Sequence, residues 1–164
     1  MNSPDKTWHT GAAFLLSQLG AHSAENFRRK ISHLGLTPPH AGILRLIANT
    51  PACNQLTLAK TLRVLPSRMV ILLDDLTDRG LVERKRSTRD RRHSELVLTK
   101  KGERVLQKLR KLAAEHESDL LAALTKKERE QLAAIGRKIV QQQGLTRDVH
   151  PGYRRLGRSS SKEC

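Results

Sequence analysis

Between positions 84 and 92 the chain places six cations, Arg84, Lys85, Arg86, Arg89, Arg91 and Arg92, with Asp90 the single acid among them. Such a cluster repels itself unless a polyanion neutralises it. Arginines on an extended arm can follow a phosphate backbone or enter a minor groove. A short way upstream, Ser67, Arg68, Val70 and Ile71 follow Pro66. At a helix N-terminus backbone N–H groups favour phosphate, and short side chains allow close approach to base edges. Val70 and Ile71 could meet thymine methyls, and Arg68 a guanine or a phosphate. Both clusters have the chemistry of a DNA surface.

The elements that must carry these residues are legible around them. Met69, Leu72, Leu73 and Leu76 recur at i, i+3, i+4 and i+7, a buried helical stripe. Ser67, Ile71, Asp74 and Asp78 project on the opposite side, with Arg68 and Val70 flanking. This helix is expected from Pro66 to Gly80. A shorter helix precedes it, Leu56–Leu62, with Val64 and Leu65 in the turn. Leu81 and Val82 begin a strand, 84–92 forms a basic hairpin tip, and Leu96–Leu98 returns. Helix, turn, helix and cationic hairpin together make a shape for gripping DNA. Asp74, Asp75 and Asp78 oppose that reading unless they point away from phosphate or pair with Arg79 and the hairpin cations.

The rest of the chain supplies supporting helices. Residues 1–9 are polar and expected to fray. A helix over 10–34 carries Phe14, Leu15, Leu19, His22, Phe27, Ile31 and Leu34. Its aliphatic side is broad enough for a second subunit, although an ordinary core helix reads the same way. Thr37 ahead of Pro38 and Pro39 starts another helix, with Ile43, Leu44, Leu46 and Ile47 inward. Thr99 or Lys100 opens a long helix to about Ala123, and Thr125 with Glu128 forms a capping box for the last one. Gly144 ends that helix. Residues 144–164 read as a basic flexible tail, which could add non-specific DNA affinity or merely be solvated.

Composition narrows the class. Lys and Arg total 31 against 16 acids, a net charge of +15, which favours a polyanionic partner. Aromatics are 2% of residues, favouring aliphatic helix packing over a β-sandwich. Two cysteines, Cys53 and Cys164, make neither a disulfide framework nor a zinc spacing, so a reducing cytoplasm is expected. The apolar patch Ala12–Leu16 is too short to span a bilayer. The histidines show no metal-ligand spacing. No phosphate loop or nucleophile elbow is present, so neither an enzyme nor a cofactor is expected.

Taken in order, LGLTPPHAGILRLI, LAKTLRV and SRMVILLDDLTDRGLVERKRSTRDRRHSELVLTKKG resemble the MarR family of winged helix-turn-helix regulators. The specific features are the G-L-V turn, the D-x-R of Asp90 and Arg92, and the following L-T-x-x-G of Leu98, Thr99 and Gly102. The resemblance covers roughly 34–109 well and the flanking helices in outline. It implies a mainly α fold with a small β-hairpin wing. The DNA-binding lobe would span 35–99, and helices from both termini, 10–34 and 100–143, would form the dimerisation region. It also implies a homodimer on a pseudo-palindromic operator of double-stranded DNA, cytoplasmic and nucleoid-associated, with no membrane partner. The wing arginines would enter the minor groove, and Asp90 would help hold the wing. Many relatives are repressors released by small aromatic effectors. The implied pocket would lie near the polar junction of His22, His33 and His40.

The residues differ from the common family pattern in two places. Val70 and Ile71 stand where threonine or arginine is frequent, and Asp75 where a base is common. Two other readings compete. A sequence-tolerant architectural DNA binder would account for the charge and the tail. A redox-responsive regulator would use Cys53, provided its thiol is exposed beside positive charge.

Overall fold

Prolines and hydroxyl side chains set most of the helix starts in the computed structural model, which describes residues 11–50, 53–86, 94–146 and 149–150. Among these lie six helices and one two-stranded sheet: α1 (Ala12–Ser32), α2 (Pro38–Asn49), α3 (Gln55–Leu62), α4 (Pro66–Asp78), β1 (Val82–Arg86), β2 (Ser94–Leu98), α5 (Lys100–Leu120) and α6 (Lys126–Gln142). The expected frayed start at 1–9, the wing residues Arg89, Asp90, Arg91 and Arg92, and most of the 144–164 tail lie outside the described residues.

Local chemistry accounts for the boundaries. Thr37 caps α2, and the third helical residue, His40, closes a reciprocal box with it. Asn54 Oδ1 accepts the Thr57 N–H at 2.8 Å to cap α3. Arg63 takes a left-handed conformation, φ 52°, so the chain turns sharply and Pro66 opens α4. Thr99 Oγ1 accepts the Gly102 N–H at 3.0 Å to start α5. Thr125 and Glu128 form the expected box on α6. The long expected helices are shorter at their ends. α1 runs from Ala12 to Ser32 rather than over 10–34, and α5 stops at Leu120 rather than near Ala123.

The hairpin corrects the sequence reading more substantially. Its ladder runs Val82↔Leu98, Glu83↔Val97, Arg84↔Leu96, Lys85↔Glu95 and Arg86↔Ser94. Arg84, Lys85 and Arg86 are therefore paired strand residues, not part of an irregular tip. The opposed Lys85 and Glu95 favour this register, since opposite charges across an antiparallel pair stabilise it.

The core gathers where α2, α3, α4, the hairpin and the first half of α5 meet. Ile31, Ile43, Leu44, Leu58, Leu62, Met69, Leu73, Leu76 and Val82 are fully buried there. The main chain ties the same parts together. The Leu96 N–H donates to the Cys53 carbonyl at 2.7 Å, and the Thr99 N–H to the Leu81 carbonyl at 3.1 Å. Gly102 backs onto that carbonyl so closely that a Cβ would lie 2.0 Å from the oxygen. Outside this lobe, α1 and α5 join through Ser23 Oγ and His116 Nε2 at 3.0 Å and Lys30 with Asp119 at 2.7 Å. Phe27 packs its ring 5.6 Å from that of His116, so His116 is an interhelical packing residue. In α6, by contrast, no described residue is buried.

Candidate nucleic-acid interface

The two sides of α4 have opposite tasks. Met69, Leu72, Leu73 and Leu76 all lie in the core. Each such side chain contributes about 1.5–3 kcal/mol of transfer free energy, so this stripe fixes which face is left outward. The outward face begins with Ser67, Val70 and Ile71 exposed and Arg68 half-buried. Ile71 is 69% exposed, and Leu65, just ahead of the helix, is 73% exposed. An aliphatic pair among polar neighbours at a helix N-terminus suits contact with thymine methyls.

Two of the three acids on α4 are neutralised from within the fold. Arg84 Nη2 donates to Asp74 Oδ1 at 3.2 Å. Asp75 holds Arg79 Nε at 3.0 Å and reaches His40 Nε2 on α2 at 3.3 Å. Asp78 stays exposed near the C-terminal end, two turns beyond Ile71. On the wing strand Lys85 pairs with Glu83 at 2.9 Å, and Arg86 is exposed. The structure thus brings Ser67, Arg68, Val70 and Ile71 to one end of α4 and Arg84, Lys85 and Arg86 onto the adjoining strand.

Comparison with known proteins places this geometry. A family model described as MarR family matches residues 34–93. The HTH-type transcriptional regulator BilQ of Clostridium symbiosum is 31% identical over 104 residues, 63% of this chain and 69% of its own. The HTH-type transcriptional repressor Rv2887 of Mycobacterium tuberculosis is 30% identical over 112 residues, 68% of this chain and 81% of its own. The chain belongs to the MarR family. Among solved structures, the repressor CouR bound to a 23-mer DNA duplex matches with TM-score 0.71 and 31% identity, over 85% of this chain and 99% of that one. As a MarR-family protein the chain is a DNA-binding transcriptional regulator with a winged helix-turn-helix fold.

In this MarR-family regulator the three histidines expected near an effector are not brought together. His22 lies exposed on α1 and accepts from Asn26 Nδ2 at 2.8 Å. His33 is the exposed C-cap of α1. His40 is buried at the start of α2. His22 and His33 lie about three helical turns, roughly 16 Å, apart along α1, and the turn at Gly35, φ 68°, redirects the chain before His40. A cavity of about 250 Å³ opens instead between α1, α2 and α5. Phe27, Ala41, Arg45, Leu106, Leu109 and Arg110 line it. None of these was singled out from the sequence as a binding residue. Their only sequence signal is that two arginines, Arg45 and Arg110, interrupt otherwise apolar helix faces.

Cys53 also departs from its expected role. It is 1% exposed, and burial pushes its thiol pKa up. A sensor thiol needs access and a thiolate-stabilising setting, and Cys53 has neither, so the redox reading does not hold for it. Among the described residues no cluster of three metal-ligating side chains occurs, and no helix is long and apolar enough to cross a membrane.

Proposed function

We propose that this regulator acts as a homodimeric repressor on a pseudo-palindromic operator. The α4 helices would enter successive major grooves, and the wings would reach the flanking minor grooves. Supporting this is the outward Ser67–Ile71 face of α4, kept clear of acid by the Arg84–Asp74 and Arg79–Asp75 pairs. A dimer is supported by apolar surface at both ends of the chain. Phe14 and Leu19 on α1 and Leu132 and Ile135 on α6 are between 41% and 62% exposed, too much aliphatic surface for a lone chain in water. A cytoplasmic, nucleoid-associated location follows from binding chromosomal DNA.

The 250 Å³ cavity supports release by a small effector. Its apolar walls suit one ring, and Arg45 and Arg110 suit a carboxylate. The structure of Rv2887 with salicylic acid, TM-score 0.65 at 26% identity over 79% of this chain and 96% of that one, favours a ligand of this kind. The deciding experiment titrates the protein into a duplex from upstream of its own gene and into random duplex, at physiological salt. Roughly 10³-fold preference or more is expected, and it should fall when an aryl carboxylate is added. Equal affinity for both duplexes would favour the architectural reading that the charge and basic tail also permit.

A further inference from the structure

His40 is the one buried polar residue of the described core, 6% exposed, and neither the α4 face nor the cavity uses its ring. Its Nδ1 accepts the Thr37 backbone N–H at 3.2 Å and lies 3.1 Å from Thr37 Oγ1. An amide N–H can only donate, so this nitrogen is the unprotonated one and a neutral ring carries its proton on Nε2. Nε2 lies 3.3 Å from Asp75 Oδ2 on α4; both atoms are buried and neither has a hydrogen bond of good geometry, so the approach is a close polar contact that a small rotation would turn into a hydrogen bond, and Arg79 Nε lies 3.0 Å from the same oxygen. Asp75 in turn holds Arg79 Nε, and Arg79 Nη1 donates to the Gly35 carbonyl. The polar groups therefore form a circuit that leaves the α1–α2 junction at Thr37, crosses to α4, and returns to the junction at Gly35.

We propose that His40 is a positioning residue for the recognition helix: as the Nε2–H tautomer fixed by the α2 cap, it donates to Asp75 and ties the orientation of α4 to the α1–α2 junction. The rest of the α4 anchorage is aliphatic, through Met69, Leu72, Leu73 and Leu76. Aliphatic contact is non-directional and tolerates small rotations of a helix. A hydrogen bond from a capped ring does not. Ala41 and Gly42, the next two residues of α2, line the cavity between the helices. A ligand there would press on the same turn that holds α4. This inference rests on α4 being the DNA-reading helix.

The tie should also respond to acid. A second proton on the ring would sit on Nδ1, where the Thr37 N–H already points, and the cap would lose its acceptor. The charged groups facing the ring are Asp75, which favours that proton, and Arg79, which opposes it; both belong to α4. Burial is the largest influence and holds the ring's pKa below the ordinary histidine value. As pH falls the unfolded chain takes the proton first. The contribution of His40 is thus complete above the ordinary histidine range and is lost as pH falls through the lower folded value.

The test uses full-length protein, with His40→Gln and His40→Ala. Glutamine offers an oxygen to the cap and an N–H to Asp75 but cannot titrate. Nitrogen NMR should find His40 as the Nε2–H tautomer, persisting into more acid solution than an ordinary histidine would. In amide exchange, His40→Ala should speed both the first turn of α2 and the Asp75–Arg79 turn of α4 by roughly tenfold, the effect of losing one buried hydrogen bond. His40→Gln should restore both. Affinity for the upstream duplex should fall about tenfold in His40→Ala and recover in His40→Gln. An Nδ1–H tautomer would overturn the proposal, as would faster exchange confined to α2 with DNA affinity unchanged. If the wild-type protein shows no preference for the upstream duplex, the repressor reading fails, while the NMR and exchange results still decide the tie.

Discussion

Arg84 on β1 and Asp74 on α4 are joined by a 3.2 Å hydrogen-bonded ion pair. It spans the join between α4, the proposed recognition helix, and β1. Both side chains are about half exposed, so the pair contributes little to stability, under about 1 kcal/mol. Its effect is on charge: it neutralises an acid on the outer side of α4 and links that helix to β1.

Asp74→Asn is therefore expected to leave the unfolding free energy within about 1 kcal/mol of wild type. Binding to random DNA should tighten, because a negative charge has gone and Arg84 is released. Preference for the upstream duplex should narrow. Denaturant melts and paired DNA titrations measure this, and an unchanged preference would show that the pair does not aim the wing.

Arg92, in the D-x-R of the wing, should behave differently. Arg92→Ala is expected to weaken operator binding by about 1–3 kcal/mol with no change in melting. Unaltered affinity would remove Arg92 from the DNA-binding set.

Ile71 and Leu73, two residues apart on α4, test its facing. Leu73 is fully buried, so Leu73→Ala should cost about 2–5 kcal/mol of stability. Ile71→Ala should change stability by no more than about 0.5 kcal/mol, yet weaken binding to the upstream duplex. Replacing operator thymines by uracils should mimic that loss; if it does not, Ile71 does not read methyls.

Gly102→Ala should destabilise the lobe by more than about 2 kcal/mol, seen as a lowered melting temperature. The added Cβ would meet the Leu81 carbonyl oxygen, a backbone atom that also accepts the Thr99 N–H and cannot move without disturbing the α5 cap. A variant as stable as wild type would mean that α5 can shift away from β1.

Leu19→Glu or Ile135→Glu should dissociate the proposed dimer without unfolding the DNA-binding lobe, since both side chains are about half exposed in the single chain. Light scattering should then give the mass of a monomer, with helical content preserved. A dimer that survives both changes would place the interface elsewhere.

The basic residues and the α4 stripe were legible because each depends on local spacing. A period of 3.6 residues decides which side of α4 can be buried, and Met69 through Leu76 satisfy it on one side only. The strand was less legible. Arg84, Lys85 and Arg86 carry no apolar alternation, so nothing local shows that they pair; their place depends on Leu96, Glu95 and Ser94 across the ladder. The histidines misled for a similar reason. His22, His33 and His40 are close in sequence, but His22 and His33 stand about three turns apart on α1, and the left-handed turn at Gly35 sends His40 into another helix.

By itself the sequence determined the order of elements, the buried side of α4, the helix caps at Thr37 and Thr125, and the polyanionic character of the partner. All of these follow from residue type and short-range periodicity. Only the tertiary structure decided that Cys53 is sealed from solvent, that a cavity opens beside Arg45 and Arg110, and that His40 faces Asp75. His40 and Asp75 lie on different helices, 35 positions apart, and no local rule relates them. Their meeting depends on how α2 and α4 pack around the shared aliphatic core, which is settled when the whole lobe assembles.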